Sequence, residues 1–264
     1  MTQTLKTEIT DQIATVTLNR PEKKNAMSMV MMDELTETGR TLAANKDVRA
    51  VIITGADNSF CSGIDLADLM AGAAKMDELR DSILNPPAGE TSNRFQAPTT
   101  IWSMLDVPVI AALNGVVYGA GAQLALGADF RIAAPDTKFS IMEAKWGLIP
   151  DMGISQSLPK LMRADQAMEL IMTGRVLEAS EAQSLGLLTR IADDPLAEAI
   201  AMAELLKTKS PDALKGSKRL VNGTWGCGEA GLKLEAELQA AIMGQTNQME
   251  MVMATMQKRA PNFT

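Results

Sequence analysis

No histidine occurs in the 264 residues of this chain. That absence removes Ser-His-Asp and Cys-His nucleophile systems, histidine general bases and every histidine metal site. Two cysteines, Cys61 and Cys227, are too few for a disulfide framework or a four-cysteine zinc site. Aromatic residues make up only 3% of the chain, with Tyr118 the single tyrosine. No run of eighteen apolar residues is present, so the sequence predicts no membrane-spanning helix. The start, MTQTLKTEIT, is polar and lacks the apolar stretch of a signal peptide, which points to a cytoplasmic protein. Acidic residues outnumber basic ones, 32 to 25, and no basic stripe offsets the net charge of −7. Nucleic acid is therefore not the expected partner. Chemistry must come from carboxylates, lysines, the tyrosine or backbone dipoles, without a bound metal.

What is present is apolar and patterned. Hydrophobic residues make up 46% of the chain, enough for a sizeable core. The nineteen methionines either fill that core or line an adaptable pocket. Alternation and apolar runs predict strands at 13–18, 48–54, 107–113, 130–134, 138–141 and 187–192. Ser28 reads as the N-cap of a helix with Met32, Leu35, Gly39 and Leu42 on one face. Residues 70 to 97, with NPPAGE in the middle, are the least regular part and predict a variable segment. From Asp194 onward the pattern is helical, and Met249, Val252, Met253 and Met256 form an apolar stripe on the last helix. The whole reads as α/β, with strand-plus-helix units over residues 1–193 and a helical region over 194–264. No Gly/Ser linker separates the two.

Two loops share one logic. FCSGIDL (60–66) and YGAGAQL (118–124) each follow a strand, contain glycine and lead into a helix. Either they are ordinary strand-to-helix turns, or the N–H groups of Ile64 and Ala120 converge as an oxyanion hole. The run Gly119-Ala120-Gly121 starts a dinucleotide-binding motif, but Leu124 stands where its third glycine belongs. There is no P-loop.

Several stretches together resemble the crotonase superfamily, the enoyl-CoA hydratase/isomerase family. They are NRPEKKNAMS, SFCSGIDL, PVIAALNGVVYGAG, GADFRIAAPDTKFSIMEAKWGLIPDMG, IMTGRVLEASEAQSLGLL and the terminal KRAPNF. They occur in order over essentially the whole chain. The resemblance implies a spiral of ββα units with a helical C-terminal trimerisation region, and a homotrimer or dimer of trimers. It implies an acyl-CoA thioester as substrate, of the 2-enoyl-CoA type, with coenzyme A as part of the substrate and no separate cofactor. It places the two oxyanion donors on Ile64 and Ala120, where Ala120 replaces the family's usual glycine. Contacts to the acyl-CoA fall on Lys24, Ala26, Ser62, Gly63, Ile64, Asp65, Leu66, Gly119 and Ala120.

The resemblance also sharpens the view of three polar residues. Family hydratases carry glutamates at the positions of Gln123 and Glu143; this chain keeps Glu143 and has a neutral amide at 123. Leaning back towards the helix N-terminus, residue 123 is expected to lie over Ala120, near a bound carbonyl. Asp151 is either a turn residue after Pro150 or, as in dienoyl-CoA isomerases, a second acid. Glu143 is expected to be the principal acid/base, Asp151 the second group and Gln123 a polar positioner. Hydration and double-bond isomerisation both fit, and a catalytically silent acyl-CoA-binding homologue is the non-enzymatic alternative.

Overall fold

The computed structural model describes residues 4–65, 67–68, 76–225 and 245–264. Strands β1 (Leu5–Thr10), β2 (Ile13–Leu18), β3 (Ala50–Gly55), β4 (Val109–Leu113), β6 (Phe130–Ala133) and β9 (Arg190–Ile191) form a six-stranded sheet in that order. Only the β1–β2 pair is antiparallel. Strands β5 (Val116–Tyr118), β7 (Lys138–Ser140) and β8 (Leu177–Glu178) form a second, three-stranded sheet.

The central strands are apolar on both faces, as strands covered on both sides must be. Val51, Ile53, Val109, Ala111 and Leu113 point into the larger core. They share it with Met32, Leu35 and Leu42 of α1 (Met29–Ala44) and Trp102 of α3 (Ala97–Met104). Their alternates Ala50, Ile52, Ile110 and Ala112 meet Ala199 and Ala203 of α8 (Pro195–Lys207) on the opposite face. The first helix of the C-terminal region thus covers the sheet. Its start is fixed by Asp194, whose carboxylate accepts from the Ala197 N–H, with Pro195 in the first turn. Ser28 caps α1 as expected, accepting from the Met31 N–H.

The region read as irregular holds α2 (Met76–Leu84) before α3. Between β5 and β7 lies α4 (Ala120–Leu126), and α5 (Ile154–Ser157), α6 (Ala164–Thr173) and α7 (Ala179–Ser184) precede β9. The C-terminal helices α9 (Pro211–Thr224) and α10 (Thr246–Gln257) follow α8. On α10, Met249 and Met253 of the predicted stripe are exposed, whereas the side chains of Val252 and Met256 lie outside the described residues. Cys227 lies outside them as well, and Cys61 is buried with its thiol pushed up to about 12 by that burial.

A half-buried ion pair ties α9 to the sheet. Lys218 Nζ meets Asp129 Oδ2 at 2.7 Å and donates to the carbonyls of Trp102 and Val107, while Asp129 Oδ2 accepts from the Val109 N–H. Burial lowers the Lys218 pKa and raises that of Asp129, so desolvation outweighs their attraction. The pair fixes geometry more than it adds stability.

Candidate active site

The two glycine loops lie side by side. The Cys61 N–H donates to the Val116 carbonyl at 3.0 Å, and the Tyr118 N–H donates to the Cys61 carbonyl at 3.0 Å. Residues 60–63 thereby run along β5 and stop beside the start of α4. Gly121 permits this approach: a Cβ there would lie 2.5 Å from Cys61 Cβ and 2.7 Å from the Cys61 carbonyl oxygen. A Cβ built on Gly63 would lie 3.3 Å from the Tyr118 carbonyl oxygen, so the segments that carry Ile64 and Ala120 adjoin. Among the described residues neither of their N–H groups donates a hydrogen bond. Ala120 is the first residue of α4, where an N–H has no partner within the helix.

Pairing in the small sheet delivers the acid. Tyr118 is in register with Ser140, and the Gly119 N–H donates to the Ser140 carbonyl at 2.9 Å. Three residues beyond Ser140, a short 3-10 turn (Glu143–Trp146) begins, which sets Glu143 against Gly119. A Cβ built on Gly119 would lie 3.4 Å from Glu143 Oε1. Glu143 is buried, only 9% exposed, so it is not the solvated acid that EAKWG on its own allows.

Gln123 occupies the centre. Its Nε2 donates to Glu143 Oε1 at 2.7 Å, and its Oε1 accepts from the Met152 N–H at 2.8 Å. The amide is 2% exposed, and both of its ends are engaged. Glu143 Oε2 is buried and without a hydrogen-bond partner among the described residues. A buried carboxylate oxygen with a free lone pair is what a proton acceptor requires. Burial raises the Glu143 pKa and the nearby Asp151 charge pushes the same way, against its own backbone N–H and the Gln123 amide. Asp151 reaches solvent, yet the packed groups around it raise its pKa too. Gln123 thus links the two acids through the chain, bonded to Glu143 and to the N–H that follows Asp151.

Most of the residues expected to contact acyl-CoA at 24–26 and 62–65 lie on two paired segments. The chain at 24–27 zips onto 62–65: the Ser62 N–H donates to the Lys24 carbonyl, the Met27 N–H to the Gly63 carbonyl, and the Asp65 N–H to the Met27 carbonyl. Arg20 locks the pair of segments, donating to the Ala26 carbonyl at 2.6 Å and to Asp65 Oδ2 at 2.8 Å. That hydrogen bond holds the Asp65 carboxyl below its ordinary range. Leu66 lies outside the described residues. Among those residues there is no group of three or more metal-ligating side chains, and no helix is long and apolar enough to cross a membrane.

Sequence reasoning did not single out Thr99 or Met152. Both are joined to Gln123 or to its partners through contacts from distant parts of the chain, which leave no local pattern.

The chain matches the model of the enoyl-CoA hydratase/isomerase family over residues 8–264. It is 34% identical to the Mycobacterium bovis protein named "Probable enoyl-CoA hydratase echA8", over 99% of this chain and 98% of that one. It is 35% identical to the 1,2-epoxyphenylacetyl-CoA isomerase of Escherichia coli, over 96% and 95% of the two chains. The crystal structure of an enoyl-CoA hydratase from Bacillus anthracis superimposes with a TM-score of 0.88 at 29% identity, covering 99% of both chains.

Proposed function

The chain belongs to the enoyl-CoA hydratase/isomerase family, within the crotonase superfamily, and from that premise we propose that it shifts a double bond in an enoyl-CoA thioester. The observation that carries this reading is the amide of Gln123. Where a second glutamate would accept or release a proton, this chain has a group that does neither, and it is hydrogen-bonded to Glu143 and Met152.

In the proposed reaction the N–H groups of Ile64 and Ala120 donate to the thioester oxygen. Glu143 Oε2 takes a proton from C2 of a 3-enoyl thioester, and the electron pair moves to that oxygen as a dienolate. Return of the proton to C4 leaves the conjugated 2-enoyl thioester and regenerates the carboxylate. No water is consumed. Asp151 is the second carboxyl group, and its charge raises the proton affinity of Glu143, which makes both transfers. One relative, the Escherichia coli protein, is itself an acyl-CoA isomerase. A second reading, syn hydration with Asp151 activating the water, draws on one observation: the Asp151 side chain is open to solvent.

Gln123→Glu separates these readings. The new carboxylate would still accept from the Met152 N–H but would face Glu143 across about the same 2.7 Å. Two carboxylates that close share a proton, so one pKa rises strongly. Isomerisation at neutral pH should fall, while the rate of hydration relative to isomerisation should rise about tenfold or more, given that one positioned acid–base group is typically worth ~10² to 10⁴. Rates of water addition to crotonyl-CoA and of isomerisation of a 3-enoyl-CoA, across pH, provide the ratio. A wild type that hydrates faster than it isomerises, with a variant that loses both together, would make Gln123 a working part of a hydratase.

A further inference from the structure

The turn that carries Asp151 is held from behind. The Met152 backbone is held at both ends: its N–H donates to Gln123 Oε1, and its carbonyl accepts from the hydroxyl of Thr99 on α3. Thr99 is 1% exposed, and its Oγ1 also lies 2.9 Å from the carbonyl of Gln96 in its own helix. The next residue, Gly153, has φ +81°, and a Cβ there would lie 2.6 Å from Thr100 Cγ2 and 3.1 Å from Thr99 Oγ1. A side chain at 153 would therefore push the turn away from α3. Among the described residues, Thr99, Gln123 and Gly153 also border a cavity of about 900 Å³.

We infer that Thr99 is a positioning residue: its hydroxyl fixes the Met152 carbonyl and so sets where Asp151 stands relative to Glu143. The inference rests on the reading of Glu143 and Asp151 as the two carboxyl groups of the reaction. Thr99 does not reach the reacting atoms. It acts through the Met152–Gly153 peptide, and Gln123 holds the preceding Asp151–Met152 peptide. A hydroxyl is required because the Met152 carbonyl needs a donor in a buried place, where an unmet acceptor is costly. Loss of that donor lets the turn move, and misplacement of a catalytic group by about 1 Å can cost ~10² in rate.

The test is a double-mutant cycle of Thr99→Val and Asp151→Asn in the full-length enzyme, with kcat, KM and the pH profile of 3-enoyl-CoA isomerisation as readouts. Thr99→Val is expected to lower kcat about tenfold or more, with KM changed less than about twofold. Its acidic limb should move to lower pH, because the Asp151 charge that raises the Glu143 pKa is drawn away. Asp151→Asn should move the limb the same way, the double variant should be no slower than Asp151→Asn alone, and Thr99→Ser should restore activity. If Thr99→Val does not fold, Thr99→Ala carries the same cycle. Additive losses, or a wild-type kcat and pH profile in the Thr99 variants, would overturn the inference while leaving the isomerase reading intact. Wild-type activity in Asp151→Asn would remove Asp151 from the reaction and the inference with it.

Discussion

Glu143→Gln is expected to lower kcat for enoyl-CoA isomerisation by ~10³ or more while leaving acyl-CoA affinity within a few-fold of wild type. Glu143 Oε2 is the one buried carboxylate oxygen at the site without a partner among the described residues, and an amide at that position cannot accept the substrate proton. The variant keeps its shape, because the carbonyl of the substituted amide can still accept from Gln123 Nε2. Its stability should also vary less with pH. Burial raises the Glu143 pKa in the folded state, so its contribution favours folding below the unfolded pKa and is lost as pH rises through the folded one. At neutral pH the ionised side chain therefore costs stability. The melting temperature of the variant relative to wild type should therefore fall as the solution is acidified through the Glu143 pKa. The same shift predicts an acidic limb in the wild-type rate profile above the ordinary glutamate range. Retained activity in a folded Glu143→Gln protein, checked by calorimetry and turnover together, would transfer the chemistry to Asp151.

Ile64→Pro should be nearly as damaging. The residues either side of Ile64 hold the 62–65 strand to Met27, through the Gly63 carbonyl and the Asp65 N–H, while the Ile64 N–H is left over. Proline deletes that N–H and keeps the two flanking hydrogen bonds. Loss of one oxyanion donor is worth about 3 to 4 kcal/mol, so kcat should fall by ~10² to 10³. The check is kcat alongside the dissociation constant of a saturated acyl-CoA. A fall in affinity with unchanged kcat would make Ile64 a binding contact and nothing more.

The parts of this molecule that can be read from its sequence are those with a local period. Strands β2, β3 and β4 are short apolar runs between polar residues, and α1 has both its Ser28 cap and its buried face written in order. Strand β1, LKTEIT, alternates weakly and buries only Leu5 of its six residues, so no apolar face marks it. At the other edge, a strand expected over 187–192 pairs only at Arg190–Ile191. The glycine loops are legible as close approaches, and Gly121 meets Cys61 for that reason.

The polar centre is harder to read. Glu143 lies in a 3-10 turn whose sequence, with Lys145 and Trp146, reads like an exposed acidic helix start; its burial comes from Gly119 and Gln123. Position 123 is recognisable as an amide in place of an acid. Its two partners, 20 and 29 residues further along, are not, and its side chain is spent on them. Thr99 in APTTIWSM looks like any hydroxyl near a helix start; its weight comes from Met152, 53 residues away.

The central claim is that Glu143 moves a proton along the acyl chain without adding water. The direct measurement is incubation of a 3-enoyl-CoA with the enzyme in heavy water, with products and deuterium positions read by mass spectrometry and NMR. The account predicts a 2-enoyl-CoA as the first product, deuterium confined to C2 and C4, and no 3-hydroxyacyl-CoA on the same timescale. A 3-hydroxyacyl-CoA formed from a 2-enoyl-CoA faster than the 3-enoyl-CoA is isomerised would contradict it.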